Sequence, residues 1–86
     1  MYYVYVLRSL RDKKFYTGYT ADLDSRLTAH MSGRVPATSN RRPLALVYYE
    51  ACVSQKDALR REKYLKTTWG KRYLKTRLKS GLESLI

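Results

Sequence analysis

The sequence predicts an α+β domain: a small three-stranded antiparallel sheet flanked by helices, in the order β-β-α-β-α-α. Three observations carry that prediction. Residues 2–7, 15–20 and 44–51 are short runs rich in β-branched and aromatic side chains. Leu23, Leu27 and Met31, and later Ala58, Leu59, Leu65 and Trp69, repeat apolar side chains at helical spacing. A length of 86 residues allows one hydrophobic core, because two would leave neither half able to bury enough surface. The domain is assigned to residues 1–80 and a C-terminal tail to residues 81–86.

The first strand reads Tyr2-Tyr3-Val4-Tyr5-Val6-Leu7, and a polar stretch at 9–14 interrupts it before strand character resumes at Phe15. The pair is expected to form a hairpin with a longer loop. At period two, Tyr3, Tyr5 and Leu7 share one face of the first strand, and Tyr16, Gly18 and Thr20 share one face of the second. A glycine inside a strand gives up packing, so Gly18 is expected where another backbone or a ligand approaches closely. The first helix has Thr20 or Asp22 as its cap and Gly33 at its C-terminus. Residues 32–43 contain Gly33, Pro36, Ser39, Asn40 and Pro43 with Arg34, Arg41 and Arg42, and read as a basic loop. After the third strand, Ser54 and Asp57 form a capping box for a helix that should end near Gly70. A last helical segment is expected over residues 71–78.

Charge is the strongest compositional signal. Eighteen Lys and Arg against seven Asp and Glu give a net charge of +11, a field that concentrates polyanions and speeds their encounter. Nucleic acid is the expected partner; a basic protein with no such role is the plainer alternative. A membrane is not expected. The longest apolar runs, residues 2–7 and 44–49, fall far short of the roughly 20 residues a spanning helix requires. The basic residues also do not oppose a broad apolar face. Cys52, the single cysteine, has no partner in the chain and reads as a small buried hydrophobe. That usage fits a reducing compartment, and a cytoplasmic location is expected.

Glu62 is the most informative position. At about 100° per residue, Ala58, Leu59, Leu65 and Trp69 lie within about 60° of it on the helix wheel. A carboxylate on that face must meet a cation, a hydrogen-bonding group or a metal. An internal salt bridge to one of the many basic residues explains it as well as a functional role does. His30, the only histidine, follows Arg26 by one helical turn. Beside an apolar stripe it is most simply a structural histidine. A His/Cys metal centre is excluded, since one of each cannot build it. Nine tyrosines against one phenylalanine supply apolar area with a hydroxyl attached, useful for stacking or proton transfer. Tyr2, Tyr3, Tyr48, Tyr49, Tyr64 and Tyr73 read as core or sheet surface.

Taken together, Tyr3-Val4-Tyr5, Tyr16-Thr17-Gly18, Arg26 ten residues after Tyr16, His30 four residues later, and Glu62 on the later helix resemble the GIY-YIG nuclease family. The whole chain is similar in length and layout to its small stand-alone, UPF0213-like members, and residues 41–50 look like their third-strand region. The resemblance implies a metal-dependent endonuclease that hydrolyses phosphodiester bonds of DNA, and of RNA as a second option. It implies one Mg²⁺ (or Mn²⁺) held by Glu62. Tyr5 or Tyr16 would orient or deprotonate the attacking water, Arg26 would neutralise phosphate charge, and His30 would accept a proton or bind phosphate. Tyr16 is the first choice of base, a role needing neighbouring cations because a free phenol ionises near pH ~10. Arg34, Arg41, Arg42, Lys66, Lys71 and Arg72 are the expected backbone contacts.

Some positions depart from the family pattern. The first motif keeps its tyrosine and lacks its glycine, Tyr19 stands where a basic residue is common, and no asparagine follows Glu62. No targeting module accompanies the domain, which suggests a protein partner that directs it to substrate. A non-catalytic nucleic-acid-binding module on the same scaffold is the alternative function.

Overall fold

The structure is a computed structural model that describes residues 1–85. Its sheet is built from β1 (Tyr2–Ser9), β2 (Phe15–Thr20) and β3 (Leu44–Cys52). The strand order is β2-β1-β3, with both pairings antiparallel. β1 is therefore central and is buried on both faces: Val4, Tyr5, Val6 and Leu7 are all inaccessible to solvent. Alternation divides the core in two. Val4 and Val6 pack with Ala58, Leu65 and Leu74 on one face. Tyr5 and Leu7 pack with Leu44, Leu23 and Leu27 on the other. Full burial of each aliphatic side chain contributes roughly 1.5–3 kcal/mol.

The helices are α1 (Leu23–Met31), α2 (Pro36–Ser39), α3 (Gln55–Leu65), α4 (Thr68–Arg77) and α5 (Lys79–Glu83). The expected order holds, with the short α2 and α5 added. α2 forms inside the basic loop, started by Pro36 at its first turn. α5 starts in the last two residues assigned to the domain and runs into the segment read as a tail. At α1 the cap is Asp22, whose carboxylate accepts from the Ser25 amide at 3.2 Å.

Two expectations for the C-terminal half need correction. Ser54 sits at the N-cap of α3 but makes no side-chain cap bond, and Asp57 pairs forward with Arg60 at 3.1 Å instead of reaching back. Nor does α3 run to Gly70: it stops at Leu65, and Thr67 caps a new helix by accepting from the Gly70 amide. Trp69 therefore leaves the expected core face, is 68% exposed, and lies under the Arg72 guanidinium at 5.3 Å. Leu59 is also exposed. Gly70 lies in the first turn of α4, where an added Cβ would collide with the Tyr64 carbonyl oxygen and Leu65 Cα. It permits the close approach of two successive helices instead of ending one.

β3 and α3 are joined by a bidentate ion pair. Arg61 Nη2 and Nε donate to Glu50 at 2.8 and 3.0 Å, and the Tyr48 hydroxyl donates to the same carboxylate at 2.7 Å. Burial pushes the Glu50 carboxyl up, but the Arg61 and Tyr48 hydrogen bonds outweigh it and leave it below its ordinary value. The Arg61 guanidinium also lies 5.0 Å from the Tyr73 ring on α4.

Replacing Gly70 with alanine places a methyl against backbone that cannot rotate away. The expected outcome is a loss of about 1–3 kcal/mol, despite the helix propensity gained, read as a lower urea midpoint with unchanged m-value.

Candidate functional site

The site forms on the Tyr5 face of the sheet, beside the edge strand β2. Tyr5 pairs with Gly18 across β1 and β2, and its ring lies where a Gly18 side chain would stand: an added Cβ would meet the Tyr5 hydroxyl. The glycine expected to permit a close approach thus admits a side chain of its own protein. Laid across β2 in this way, the Tyr5 hydroxyl meets two residues of α1, His30 Nε2 at 2.7 Å and Arg26 Nε at 3.4 Å. Tyr16 completes the aromatic cluster, with ring centroids 5.1 Å from His30 and 6.4 Å from Tyr5.

Hydrogen-bond roles follow from what each atom can do. Arg26 Nε only donates, so the Tyr5 oxygen accepts from it. The buried Tyr5 O–H then needs an acceptor, and His30 Nε2 is the one within reach. A neutral His30 consequently carries its proton on Nδ1, which donates to Thr38 Oγ1 at 2.8 Å. Burial, and secondarily the charge of Arg26, hold the His30 pKa below its ordinary value, in keeping with a neutral ring. Tyr5 is shifted upward, first by burial; Arg26 opposes the shift, and the charge of Glu62 adds to it. Arg26 is held more firmly charged, chiefly by its hydrogen bond to Tyr5.

His30 has no solvent exposure and both ring nitrogens are engaged, so direct phosphate binding by this side chain does not fit the structure. Tyr5 is equally buried. The exposed layer of the site consists of Tyr16, Arg26 and Glu62, each partly open to solvent. Thr38 was missed by sequence reasoning. It is buried completely in a segment that reads as loop, and no periodicity singles it out.

Glu62 is not sealed against an arginine. Its neighbour Arg61 takes Glu50, and among the described residues Glu62 meets only the exposed Lys66, at 3.3 Å, while its own side chain is 21% exposed. No cluster of three or more His, Cys, Asp or Glu suited to a metal occurs among the described residues. A single carboxylate of this kind fits a hard divalent cation that keeps several waters and does not fit a multi-carboxylate cage.

The expected basic contacts separate. Arg41 is a structural clasp: it pairs with Asp12 at 2.8 Å and donates to the Lys14 carbonyl at 3.2 Å. Arg42 donates to the Ser39 carbonyl at 3.1 Å. Arg34 is exposed, Lys66 serves Glu62, Arg72 covers Trp69, and Lys71 lines a cavity together with Arg41.

The model of the GIY-YIG catalytic domain matches residues 1–82. The chain belongs to the GIY-YIG family. Among curated relatives, a UPF0213 protein of Staphylococcus haemolyticus is 40% identical over 67 residues, covering 77% of this chain and 80% of that one. A UPF0213 protein of Pediococcus acidilactici is 39% identical over 87 residues, covering 94% and 85%. The solution structure of a UPF0213 protein of Bacillus halodurans superposes with a TM-score of 0.55 at 38% identity, covering 88% of this chain and 84% of that one. The family is one of nucleases, and nucleic acid is the class of partner that goes with it. No helix among the described residues is long and apolar enough to cross a membrane.

Two outcomes test the buried half of this GIY-YIG site. Thr38→Val strands the His30 Nδ1–H and is expected to cost roughly 1–3 kcal/mol in urea unfolding. Because the folded protein resists protonating His30, the unfolded chain binds the extra proton as pH drops below the ordinary histidine value of 6.5. Stability contributed by the neutral ring is thus present above that pH and is lost as pH falls below it. In His30→Gln the slope of stability between about pH 6.5 and 5 should flatten. Glu50 and Asp12, held below the ordinary carboxylate range, titrate beneath this window.

Proposed function

We propose that this protein is a metal-dependent endonuclease that hydrolyses phosphodiester bonds in DNA, with RNA as a second substrate, in the cytoplasm. The observation that carries the reading is the partly exposed Glu62 carboxylate, paired among the described residues only with the exposed Lys66, whose charge acts on Tyr5, the residue that accepts from Arg26 and packs against Tyr16. A Mg²⁺ or Mn²⁺ ion bound at Glu62 would polarise a phosphoryl oxygen and stabilise the departing oxygen.

The remaining steps fall to side chains of the chain itself. Arg26, kept charged and aimed by the Tyr5 oxygen, offsets negative charge that accumulates on the phosphoryl group. Tyr16, free of the buried hydrogen-bond chain, orients the attacking water and, once its own proton has passed to solvent, takes the proton of that water. Tyr5 and His30 do not touch substrate. They fix the Arg26 guanidinium: the O–H···Nε2 bond holds the Tyr5 oxygen that Arg26 meets. A partner protein that directs the domain to its substrate belongs to the same reading.

Glu62→Gln tests this reading. It keeps the side chain's shape, so thermal unfolding should change little, while Mg²⁺- or Mn²⁺-dependent nicking of branched, single-stranded or duplex substrates should fall at least ~100-fold, the scale of losing a principal electrostatic group. Retained metal-independent binding with no cleavage by the unmodified protein would make it a binding module instead.

A further inference from the structure

A cavity of about 660 Å³ opens on the sheet face opposite Tyr5. Six cations from four parts of the chain converge on it: Arg8 at the end of β1, Lys13 and Lys14 in the hairpin loop, Arg41 ahead of β3, and Lys71 and Lys75 one turn apart on α4. The one carboxylate in its wall, Asp12, is already engaged by Arg41. Arg8 donates to the Leu82 carbonyl at 3.2 Å, which fixes its direction without neutralising it. Lys13, Lys14, Lys71 and Lys75 make no salt bridge among the described residues. Like charges gathered in a bounded concavity repel one another, and an anion placed there relieves that repulsion.

The cavity is built, not a chance grouping of surface lysines. Ser9, almost wholly buried, accepts the Arg11 and Asp12 amides at 3.1 Å and donates to the Arg41 carbonyl at 2.6 Å. Asp12 accepts the Lys14 amide at 2.9 Å, and Lys13 is held at φ 63°. These bonds lock the loop that carries two of the cations.

Its position relative to the candidate active site identifies the ligand. Phe15 lines the cavity, while the next residue, Tyr16, belongs to the catalytic cluster. Successive residues of a strand point to opposite faces, so the cavity and the Tyr16 side chain lie on opposite faces of β2, an edge strand, while Glu62 comes from α3, which packs on the cavity's face of the sheet. A nucleic-acid strand that passes along this edge meets both. We propose that the cavity seats backbone phosphates of a nucleic-acid strand flanking the bond at the Tyr16–Arg26–Glu62 cluster; the choice of nucleic acid rests on the function proposed above.

Binding without metal tests this apart from cleavage. A fluorescein-labelled DNA single strand of about 20 nucleotides is titrated with the full chain in EDTA across a salt series, and anisotropy is read. The variant Lys14→Gln/Lys71→Gln/Lys75→Gln should bind at least about tenfold more weakly, with the log–log salt slope reduced by about two, from ~0.7 per phosphate on single strands. Lys56→Gln/Arg60→Gln/Lys63→Gln removes the same charge from α3 and should change the slope little. Equal losses in the two variants, or no loss in the first, would overturn the proposal in favour of a general basic field. Displacement of the labelled strand by tripolyphosphate or polyglutamate as effectively as by unlabelled strand would overturn it in favour of a free polyphosphate or an acidic protein. If the expected binding differences hold while the unmodified protein never cuts DNA, the cavity stands and only the catalytic reading falls.

Discussion

The Tyr5 hydroxyl is the point on which the site depends. It is buried on the central strand, it needs an acceptor for its proton, and His30 supplies one at 2.7 Å. Each neighbouring feature follows from that requirement. Gly18 has no side chain because the Tyr5 ring occupies its place. α1 must present both His30 and Arg26 to one oxygen, which the one-turn spacing achieves. The loop before β3 must fold back so that Thr38 meets the other ring nitrogen. Since an unpaired buried donor costs about as much as a lost hydrogen bond, the cluster holds as a unit, and Arg26 is directed before any substrate arrives.

The two carboxylates of the C-terminal half divide structural from chemical work. Glu50 takes a bidentate arginine and a tyrosine hydroxyl, and so ties β3 to α3. This pairing is also what leaves Glu62 without an arginine. Adjacent residues on a helix point about 100° apart, so Arg61 turned toward Glu50 cannot also serve Glu62. The remaining partner, Lys66, is more than half exposed, and a pair of that kind is weak enough to yield to a divalent ion. Specific pairing of one glutamate thereby keeps the other available.

The edge strand β2 places two kinds of chemistry on one narrow element. Tyr16 faces the His30 side and Phe15 the α4 side, and charge follows that division. The Tyr16 side holds a small number of directed polar groups. The other gathers lysines on a loop braced by Ser9 and Asp12. A positively charged domain can attract nucleic acid with any surface; a locked concavity along the same edge strand as the polar cluster gives that attraction a location.

Much of the fold was legible in the sequence. Alternating strands, the order of elements, and the faces shared within each strand, Tyr5 with Leu7 and Tyr16 with Gly18, all follow from period and composition, which are local properties. The spacing of Tyr16, Arg26 and His30 was legible for the same reason, since one hairpin and one helix fix it. What required tertiary structure was every choice between equivalent partners. Glu62 had eighteen basic residues to pair with, and only packing of α3 on β3 assigned the arginine to Glu50. The end of α3 at Leu65 and the exposure of Trp69 depend on Gly70 fitting against Tyr64 and Leu65, a contact that helical periodicity does not register. Thr38 and the lysine cavity join segments distant in sequence, and pattern within a segment says nothing about which other segment it meets. The sequence by itself determined which elements form and which side chains share a face; the tertiary structure decided which polar groups find each other, because that depends on distances across the fold.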